Sequence, residues 1–386
     1  MVAMPRNPDD RTPPAMPSDA PPPSPAERPR WWLRGWIAVL VGFFSVVGLG
    51  LAWRQAATRR AESAAERALM DPAAPDPGMT ASEPVSSPSA RRVTIGIYLE
   101  RITALSIRDS RFAVACDVWF SWTGADFDPV DQLLVVDGTI DAITLLDEAH
   151  DGDGHYRRYA LTAEITKPFR IDHFPLDRHL LLIAFENGSL RRDELVFVPD
   201  RVNTAVSSRA AVHGYRLEEH EVVEKPHSYK TSRGEPGISP GGKTTFSQAR
   251  FGIVIVRDGW GLFLKMFQAL FVAVAIALLP CFIRPTHVDP RFGLGVGALF
   301  AAVANAYLVD SYVPDTGEFA LADMINLLGT VTILLTLVES TLSLHLYDQC
   351  DERARSRWLD RASFAVTVVG FTIALALILI GASATR

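Results

Sequence analysis

Cysteine and basic charge are both scarce in this sequence. Only 3 of its 386 residues are cysteines, and Cys116, Cys281 and Cys350 lie in different segments, which excludes a disulfide framework or zinc-finger spacing. The net charge of -6 provides no basic stripe for phosphate contacts, so nucleic acid is not a predicted partner. Glycine-rich phosphate loops, nucleophile elbows and paired metal-ligand helices are also missing. The sequence therefore predicts no enzyme, no bound metal and no cofactor.

Charged residues are rare in five long apolar stretches. The mean hydropathy is +0.13 although 21% of the residues are charged, because the apolar residues are gathered into these stretches. The stretches are residues 35–53, 261–283, 292–309, 325–347 and 363–384. Each is close to the roughly 20 residues that a helix needs to cross a bilayer. We therefore predict a membrane protein in which residues 259–386 form a four-helix transmembrane domain.

The N-terminal 91 residues divide into three parts. Residues 1–30 are rich in proline and predict a disordered arm. Residues 31–54 hold an uncharged run between tryptophans and predict a transmembrane signal anchor. The arginines before that run leave a cleaved signal peptide as the alternative. Residues 55–91, rich in Ala, Arg, Ser and Pro, predict a linker.

Residues 92–258 have the pattern of an all-β domain. Short β-branched and aromatic runs alternate with polar residues and are separated by Gly, Pro and Asp. The predicted strands are 93–99, 111–122, 156–165, 179–186, 195–199, 215–223 and 249–257. Strands that follow one another without intervening helices predict an antiparallel sandwich.

Two histidines, His150 and His155, flank a glycine-rich segment of this region. The imidazoles and the intervening aspartates are groups that bind cations in many proteins. The same Asp-Gly and Gly-His spacing is typical of a hairpin turn, and the distal bidentate acid of a calcium loop is missing. We therefore predict a hairpin turn here rather than a metal site.

Loop charges predict the orientation of the last four apolar stretches. Arginines follow the first stretch, at Arg284 and Arg291, and four more follow the third, between residues 353 and 361. The loop after the second stretch, residues 310–323, carries only acids. Because positive loops remain in the cytoplasm, the β-rich region is predicted outside and the N-terminal arm inside.

Several motifs occur in the order found in one family of receptors. Paired aromatics lie in the second predicted strand, Phe174-Pro175-Leu176-Asp177 precedes the fourth, and Arg257 precedes the first C-terminal helix, which contains a proline. The second C-terminal helix begins at Arg291-Phe292-Gly293-Leu294-Gly295 and ends at Asp310-Ser311-Tyr312-Val313-Pro314. From Val93 to its end, the chain resembles the pentameric ligand-gated ion channels, or Cys-loop receptors, in their bacterial form. The resemblance implies a homopentamer in the bacterial cytoplasmic membrane, with the β-domain in the periplasm.

The resemblance also implies which residues couple the two domains. Asp177 and Arg257 are expected to meet where the β-domain rests on the membrane domain, at a partly dry junction that strengthens a charge-assisted pair. The alternative is an ordinary surface pair. The remaining residues implied in coupling are Asp109, Phe174, Pro175 and Pro314.

The second C-terminal helix is implied to line the pore. Positions three or four residues apart share one helix face. The face aligned with the helix start contains Asp289, Gly293, Gly297, Phe300, Ala304, Leu308 and Ser311. Five copies of Phe300 would form a hydrophobic constriction at mid-membrane. The alternative is that the glycines only permit close helix packing.

The expected ion is less clearly indicated than the pore. Carboxylate rings at Asp289 and Asp310 favour cations, whereas the string Pro-Arg-x-Gly-Leu-Gly resembles anion-selective relatives. On balance we predict that small cations pass. Glu339 in the third C-terminal helix is expected to snorkel or to pair within the bundle, since a charge facing lipid is costly.

The chain departs from the family where a ligand would bind. The signature disulfide is absent, and the stretch between Trp122 and Phe174 is short, so strands of the agonist pocket are expected to be missing. Residues 225–248 resemble the loop that caps the ligand, although a plain hairpin loop fits them equally. The residues assigned to ligand binding are Arg191, Arg192, Tyr229, Lys230 and Phe246. The basic side chains among them favour an anionic small molecule. A quaternary ammonium is not expected, because it needs more aromatic faces than this segment has.

The rival function is a non-conducting, membrane-tethered sensor or scaffold.

Overall fold

The structure is a computed structural model, and it describes residues 31–75, 87–125, 127–234, 238, 243–312, 317–348 and 352–383. The predicted disordered arm over residues 1–30 lies outside the described residues. The described residues form a long N-terminal helix, then ten strands in two sheets, then four apolar helices.

The N-terminal helix α1 (Trp31–Met70) is 40 residues long and does not end where the apolar stretch ends. Residues 55–70 continue it, so the prediction of a linker beginning at residue 55 is wrong for this part. The cause is local: alanine, arginine and glutamate favour helix, and one face of this extension packs on the sheets. The helix ends before Asp71-Pro72, because a residue that precedes proline avoids the helical conformation.

The strands form one six-stranded and one four-stranded sheet. The first sheet contains β1 (Arg91–Ser106), β2 (Arg111–Thr123), β4 (Gly138–Asp151), β5 (Gly154–Thr166), β7 (Leu195–Pro199) and β8 (Ala205–Val206). The second contains β3 (Leu133–Val135), β6 (Arg178–Asn187), β9 (Tyr215–Ser228) and β10 (Thr245–Arg257). The order is β4-β5-β2-β1-β7 in the first sheet, with β8 beside β1, and β3-β6-β10-β9 in the second.

Both sheets contribute side chains to one buried core. Alternate residues of β1, such as Val93 and Ile97, are buried with Ile183 of β6 and Phe251 of β10. Pairing is antiparallel between neighbours such as β1 and β2, but β1 pairs in parallel with β7 and β8. The predicted purely antiparallel arrangement is therefore wrong at this edge, because the chain leaves β6 of one sheet and crosses to the other.

Three strands, β3, β4 and β8, were not predicted. β4 is a sheet edge whose side chains are mostly exposed, including Leu145 and Leu146, so it lacks the alternation that marks a half-buried strand. β3 and β8 have only 3 and 2 residues. The stretch between Trp122 and Phe174 thus contains β3 and β4 in addition to the predicted strand, β5.

The four C-terminal apolar stretches all lie in helices. They are α2 (Trp260–Leu278), which continues as a 3-10 turn (Leu279–Phe282), α3 (Val288–Tyr312), α4 (Leu321–Asp348) and α5 (Arg353–Ser383). These four and α1 are long and apolar enough to cross a membrane. α2 packs on α3 and α4, and α5 packs on α4 and α1. Gly48 of α1 lies directly against Ala374 of α5, where a larger side chain would not fit without a shift.

Candidate functional site

The connection between β5 and β6, residues 167–177, joins the sheets to the helices. Its Ile171 and Phe174 are buried in the same cluster as Phe263 and Phe267 of α2. The N–H of Leu321, at the start of α4, donates to the carbonyl oxygen of Asp172 at 2.9 Å. The Phe174-Pro175 peptide bond is cis. This connection is therefore built into the helical layer and does not merely lie above it.

The structure brings Asp177 and Arg257 together at this junction. Arg257 Nε donates to Asp177 Oδ1 at 2.6 Å, and its backbone N–H donates to the Asp177 carbonyl oxygen at 3.0 Å. The guanidinium also donates to the Tyr215 hydroxyl and lies 5.0 Å from the centroid of the Phe174 ring. Asp177 is only 2% exposed, so this is a buried pair and not a surface one. Its role in coupling remains a prediction.

The junction keeps the Asp177 carboxylate ionised. Burial alone would raise the pKa of Asp177, but the hydrogen bond from His179 Nε2 and the Arg257 guanidinium outweigh burial and lower this pKa to about 2. Burial, with Asp177 as a further cause, raises the pKa of Tyr215. Tyr215 and His179 were not predicted as members of this site. His179 lies in β6, two residues after Asp177. This spacing puts the two side chains on the same side of the extended chain, and it is the sequence signal that pointed to His179.

Asp109 does not join this pair. It lies in the exposed turn between β1 and β2, where it accepts a hydrogen bond from the Ser106 hydroxyl at 2.7 Å and lies 3.9 Å from Arg111. The turn reaches the helical layer through Ile107, which packs against both the sheet core and the helix core. Asp109 therefore does not contact the pair, and the apolar Ile107 makes the approach to the helical layer instead. The role of Asp109 in coupling stays a prediction. Pro314 lies outside the described residues.

The extension of α1 contributes a second set of contacts to the junction. Gln55 donates to the Asp172 carbonyl oxygen at 3.1 Å and to Met324 Sδ of α4 at 3.3 Å. The Gln55 side-chain oxygen also contacts His173 Nδ1. Burial lowers the pKa of His173 to about 4, so the imidazole is neutral at pH 7. Sequence reasoning missed these residues because it assigned Gln55 to a linker.

The backbone at Gly259 lies very close to the carbonyl group of Pro175. A Cβ atom on Gly259 would lie 2.0 Å from the carbonyl oxygen of Pro175, whereas one on Gly261 would meet nothing within 4 Å. We expect Gly259→Ala to lower the free energy of unfolding by about 1–3 kcal/mol, because the backbone has to move apart. Thermal unfolding in detergent measures the loss, with Gly261→Ala as the matched control. Equal unfolding of the two variants would contradict this contact.

The predicted pore-facing residues of α3 all lie on its exposed side. Asp289, Gly293, Gly297, Phe300, Ala304, Leu308 and Ser311 are exposed, and Phe300 is 72% exposed. The opposite side, which includes Arg291, Gly295 and Asn305, is buried. Gly295 packs against Leu337, whereas Gly293 and Gly297 have nothing within 4 Å of a built Cβ. Close helix packing therefore explains why a glycine is needed at position 295, but it does not explain the glycines at positions 293 and 297.

Val296, Val303 and Tyr307 are also exposed on α3. Tyr307 is 74% exposed and lies seven residues after Phe300, which is about two helical turns. Sequence reasoning omitted it, although the same spacing rule that selected Phe300 would have selected Tyr307. The exposed residues of α3 therefore include three aromatic side chains, Phe300, Tyr307 and Tyr312.

Arg291 is turned away from the exposed side into a buried charge cluster. It is 0% exposed and donates to Asp360 Oδ1 of α5 at 2.7 Å. Its NH2 group lies 3.6 Å from Glu339 Oε2 of α4. Glu339 thus pairs within the bundle, which is one of the two alternatives that the sequence predicted for it.

The five residues assigned to ligand binding are only partly gathered. The rings of Tyr229 and Phe246 are 5.8 Å apart, and the guanidinium of Arg233 lies over both. Arg192 ion-pairs with Glu224 at 3.1 Å, which neutralises its charge within the chain. Lys230 is exposed beside Tyr229, and Arg191 lies before Arg192 in the connection between β6 and β7.

The segment from His150 to His155 is a hairpin turn between β4 and β5. His150 and His155 are cross-strand partners whose Nδ1 atoms lie 3.0 Å apart. Within the described part of the chain, no group of three or more His, Cys, Asp or Glu residues is arranged to hold a metal ion.

Comparison of the chain with known proteins adds nothing to this geometry. Neither the models of protein families nor the curated proteins contain a match. What this chain does must therefore be inferred from its own residues.

Proposed function

We propose that the chain is one subunit of a homopentameric ligand-gated ion channel that passes small ions, with a preference for cations, across a bacterial inner membrane. The observation that carries the proposal is the exposed side of α3. It bears small residues at Gly293, Gly297 and Ala304, an aromatic at Phe300, and a carboxylate near each end. In a ring of five copies, the two carboxylates would lie at the two mouths of the pore and Phe300 would lie between them.

The position of Arg291 supports the preference for cations. Its guanidinium is buried against Asp360 and Glu339, so the exposed side of α3 carries no arginine at its cytoplasmic end. The charges left on that side are Asp289 and Asp310. Rings of carboxylates favour cations, because they lower the energy of a cation and raise that of an anion.

The contacts around Asp177 support gating from the β-domain. A stimulus that binds one arrangement of the sheets better than another would shift the position of the 167–177 connection. Phe174 and the Asp177–Arg257 pair would carry that shift to α2, which packs on α3. The Phe300 ring would then widen. The ligand is proposed to be a small molecule bound between subunits near Tyr229 and Phe246.

Thiol accessibility tests the proposal directly. In a background without native cysteines, single cysteines replace Phe300 or Ala304 in protein reconstituted into liposomes. Val272 of α2 and Ile373 of α5, which are 57% and 53% exposed in the single chain, provide matched controls on other helices. We expect a charged, water-soluble thiol reagent to modify positions 300 and 304 and to block ion flux, since thiolates react only where water reaches them. We expect no reaction at positions 272 and 373.

The opposite results have clear meanings. If the cysteines at positions 300 and 304 failed to react, as is expected of the two controls, this side of α3 would face lipid. The proposal that α3 lines a pore would then be rejected. Modification at these positions in a particle that carries no flux would favour the non-conducting sensor or scaffold.

A further inference from the structure

A cavity of about 430 Å³ lies between the C-terminal half of α1 and the sheets. α1 provides one wall with residues that include Ala65 and Leu69. The other walls come from the end of β5, from β6 and from β10, with apolar side chains such as Ile165 and Leu182. This volume and this mainly apolar lining are typical of small-molecule sites. The cavity exists because α1 continues beyond the membrane span and covers the sheets.

Lys167 places an ammonium group in this cavity with unused donors. The group donates to the Leu180 carbonyl oxygen and lies 5.5 Å from the centroid of the Phe169 ring. Among the described residues, no carboxylate oxygen lies within 4.0 Å of it. An ammonium has three donors, so two remain. Burial lowers the pKa of Lys167, although nearby Glu66 and Glu62 oppose this.

Arg170 adds a second cation to the lining. Its side chain is 47% exposed, and among the described residues its donation is from Nε, to Asp172 Oδ2 at 3.2 Å. The terminal nitrogens of its guanidinium are left to bind a carboxylate. Lys167 and Arg170 are separated by Pro168 and Phe169, and Lys167, Pro168 and Arg170 line the cavity.

The other charged groups of the lining are largely engaged. Glu66 accepts hydrogen bonds from Arg178 at 2.9 Å and from the Leu180 N–H at 2.8 Å. Arg250 donates to the Leu69 carbonyl oxygen. Glu62 is the exception, because it lies 3.7 Å from Nε2 of His173, whose imidazole is neutral at pH 7. The remaining charged or titratable groups of the lining are Asp137, His179 and His227.

We propose that this cavity binds a small organic anion, namely a monocarboxylate with a compact apolar body. Lys167 and Arg170 bind the carboxylate, and Ala65, Leu69 and Leu182 contact the apolar part. An inorganic anion would use the two cations but not the apolar walls. His179 lines the cavity and donates to Asp177, so an occupant contacts the element that holds the junction. That regulatory consequence rests on the proposed channel function, whereas binding itself does not.

The test uses the full-length protein in detergent, with fluorine NMR of 4-fluorobenzoate as the probe. We expect saturable binding that butyrate displaces and inorganic phosphate does not, and we expect no binding of the neutral 4-fluorobenzamide. Lys167→Met is expected to weaken binding about tenfold or more, because it removes a charge-assisted hydrogen bond. Lys265→Met, at an exposed lysine of α2, is the matched control and should bind like the wild type.

A second variant guards against misfolding. Ala65→Phe keeps both cations and fills the cavity from α1, so it should abolish probe binding while elution and thermal unfolding stay unchanged. Absence of saturable binding, equal binding by Lys167→Met, or equal binding of the benzamide would overturn the proposal. Binding without any ion flux would leave this site intact and would reject the channel instead.

Discussion

Arg291→Met is expected to lower the free energy of unfolding by about 3–5 kcal/mol, the usual result of removing one partner from a buried ion pair. Arg291 is fully buried and lies 2.7 Å from Asp360 and 3.6 Å from Glu339. Methionine fills part of the same volume but leaves the buried Asp360 carboxylate without its cation. Thermal unfolding of the purified protein in detergent measures the loss.

Two further variants separate charge from packing in this cluster. Asp289→Asn alters an exposed acid two residues away and is expected to change the free energy of unfolding by no more than about 0.5 kcal/mol. Arg291→Met combined with Asp360→Asn should recover part of the loss, since one uncompensated charge is removed. If Arg291→Met unfolds at the wild-type temperature, the cluster does not stabilise the bundle.

Asp177→Asn is expected to have a comparable effect at the junction, about 3–5 kcal/mol, together with the loss of ligand-dependent ion flux. Asparagine has nearly the same shape but cannot neutralise Arg257, whose Nε lies 2.6 Å from the carboxylate. Denaturation and flux measurements on the same preparation test both parts. Asp109→Asn is the matched control, since Asp109 is exposed and its pairing is with Ser106 and Arg111.

The pH dependence of the Asp177 contribution follows from its lowered pKa. The pKa is about 2 in the folded protein against an ordinary value of 3.8. The stabilisation is therefore complete above about pH 4 and is lost as the pH falls towards 2, where the folded protein takes up the proton. The difference in stability between the wild type and Asp177→Asn should shrink over this range. A difference that stays constant from pH 5 to pH 2 would contradict the pairing.

The helices and most strands could be predicted because their signals are local. The apolar stretches coincide closely with the helices, and the residues predicted to line a pore are all exposed on α3, together with Val296, Val303 and Tyr307. β4 could not be predicted, because an exposed edge strand has no buried face to impose alternation. The extension of α1 was missed for a different reason: its composition allows helix, but its contacts with the sheets decide that it forms one.

The partners at the junction depend on contacts between distant parts of the chain. Asp177 was predicted because it ends the motif Phe174-Pro175-Leu176-Asp177. Arg257 was predicted because it precedes the first C-terminal helix. Tyr215 and Gln55 reach the same site from a strand start and from the first helix, and nothing in their local sequence marks them. Such contacts depend on how the elements pack, which local periodicity does not contain.

The N-terminal position of α1 has a consequence for biosynthesis. α1 leaves the ribosome before the strands, and the groups that hold its C-terminal half come much later in the chain. Arg178 follows Glu66 by 112 residues, and Arg250 follows Leu69 by 181. Because the chain is made in order, α1 is complete before its partners exist. The strands made afterwards must therefore assemble against a helix that is already present, which makes α1 a template for their placement.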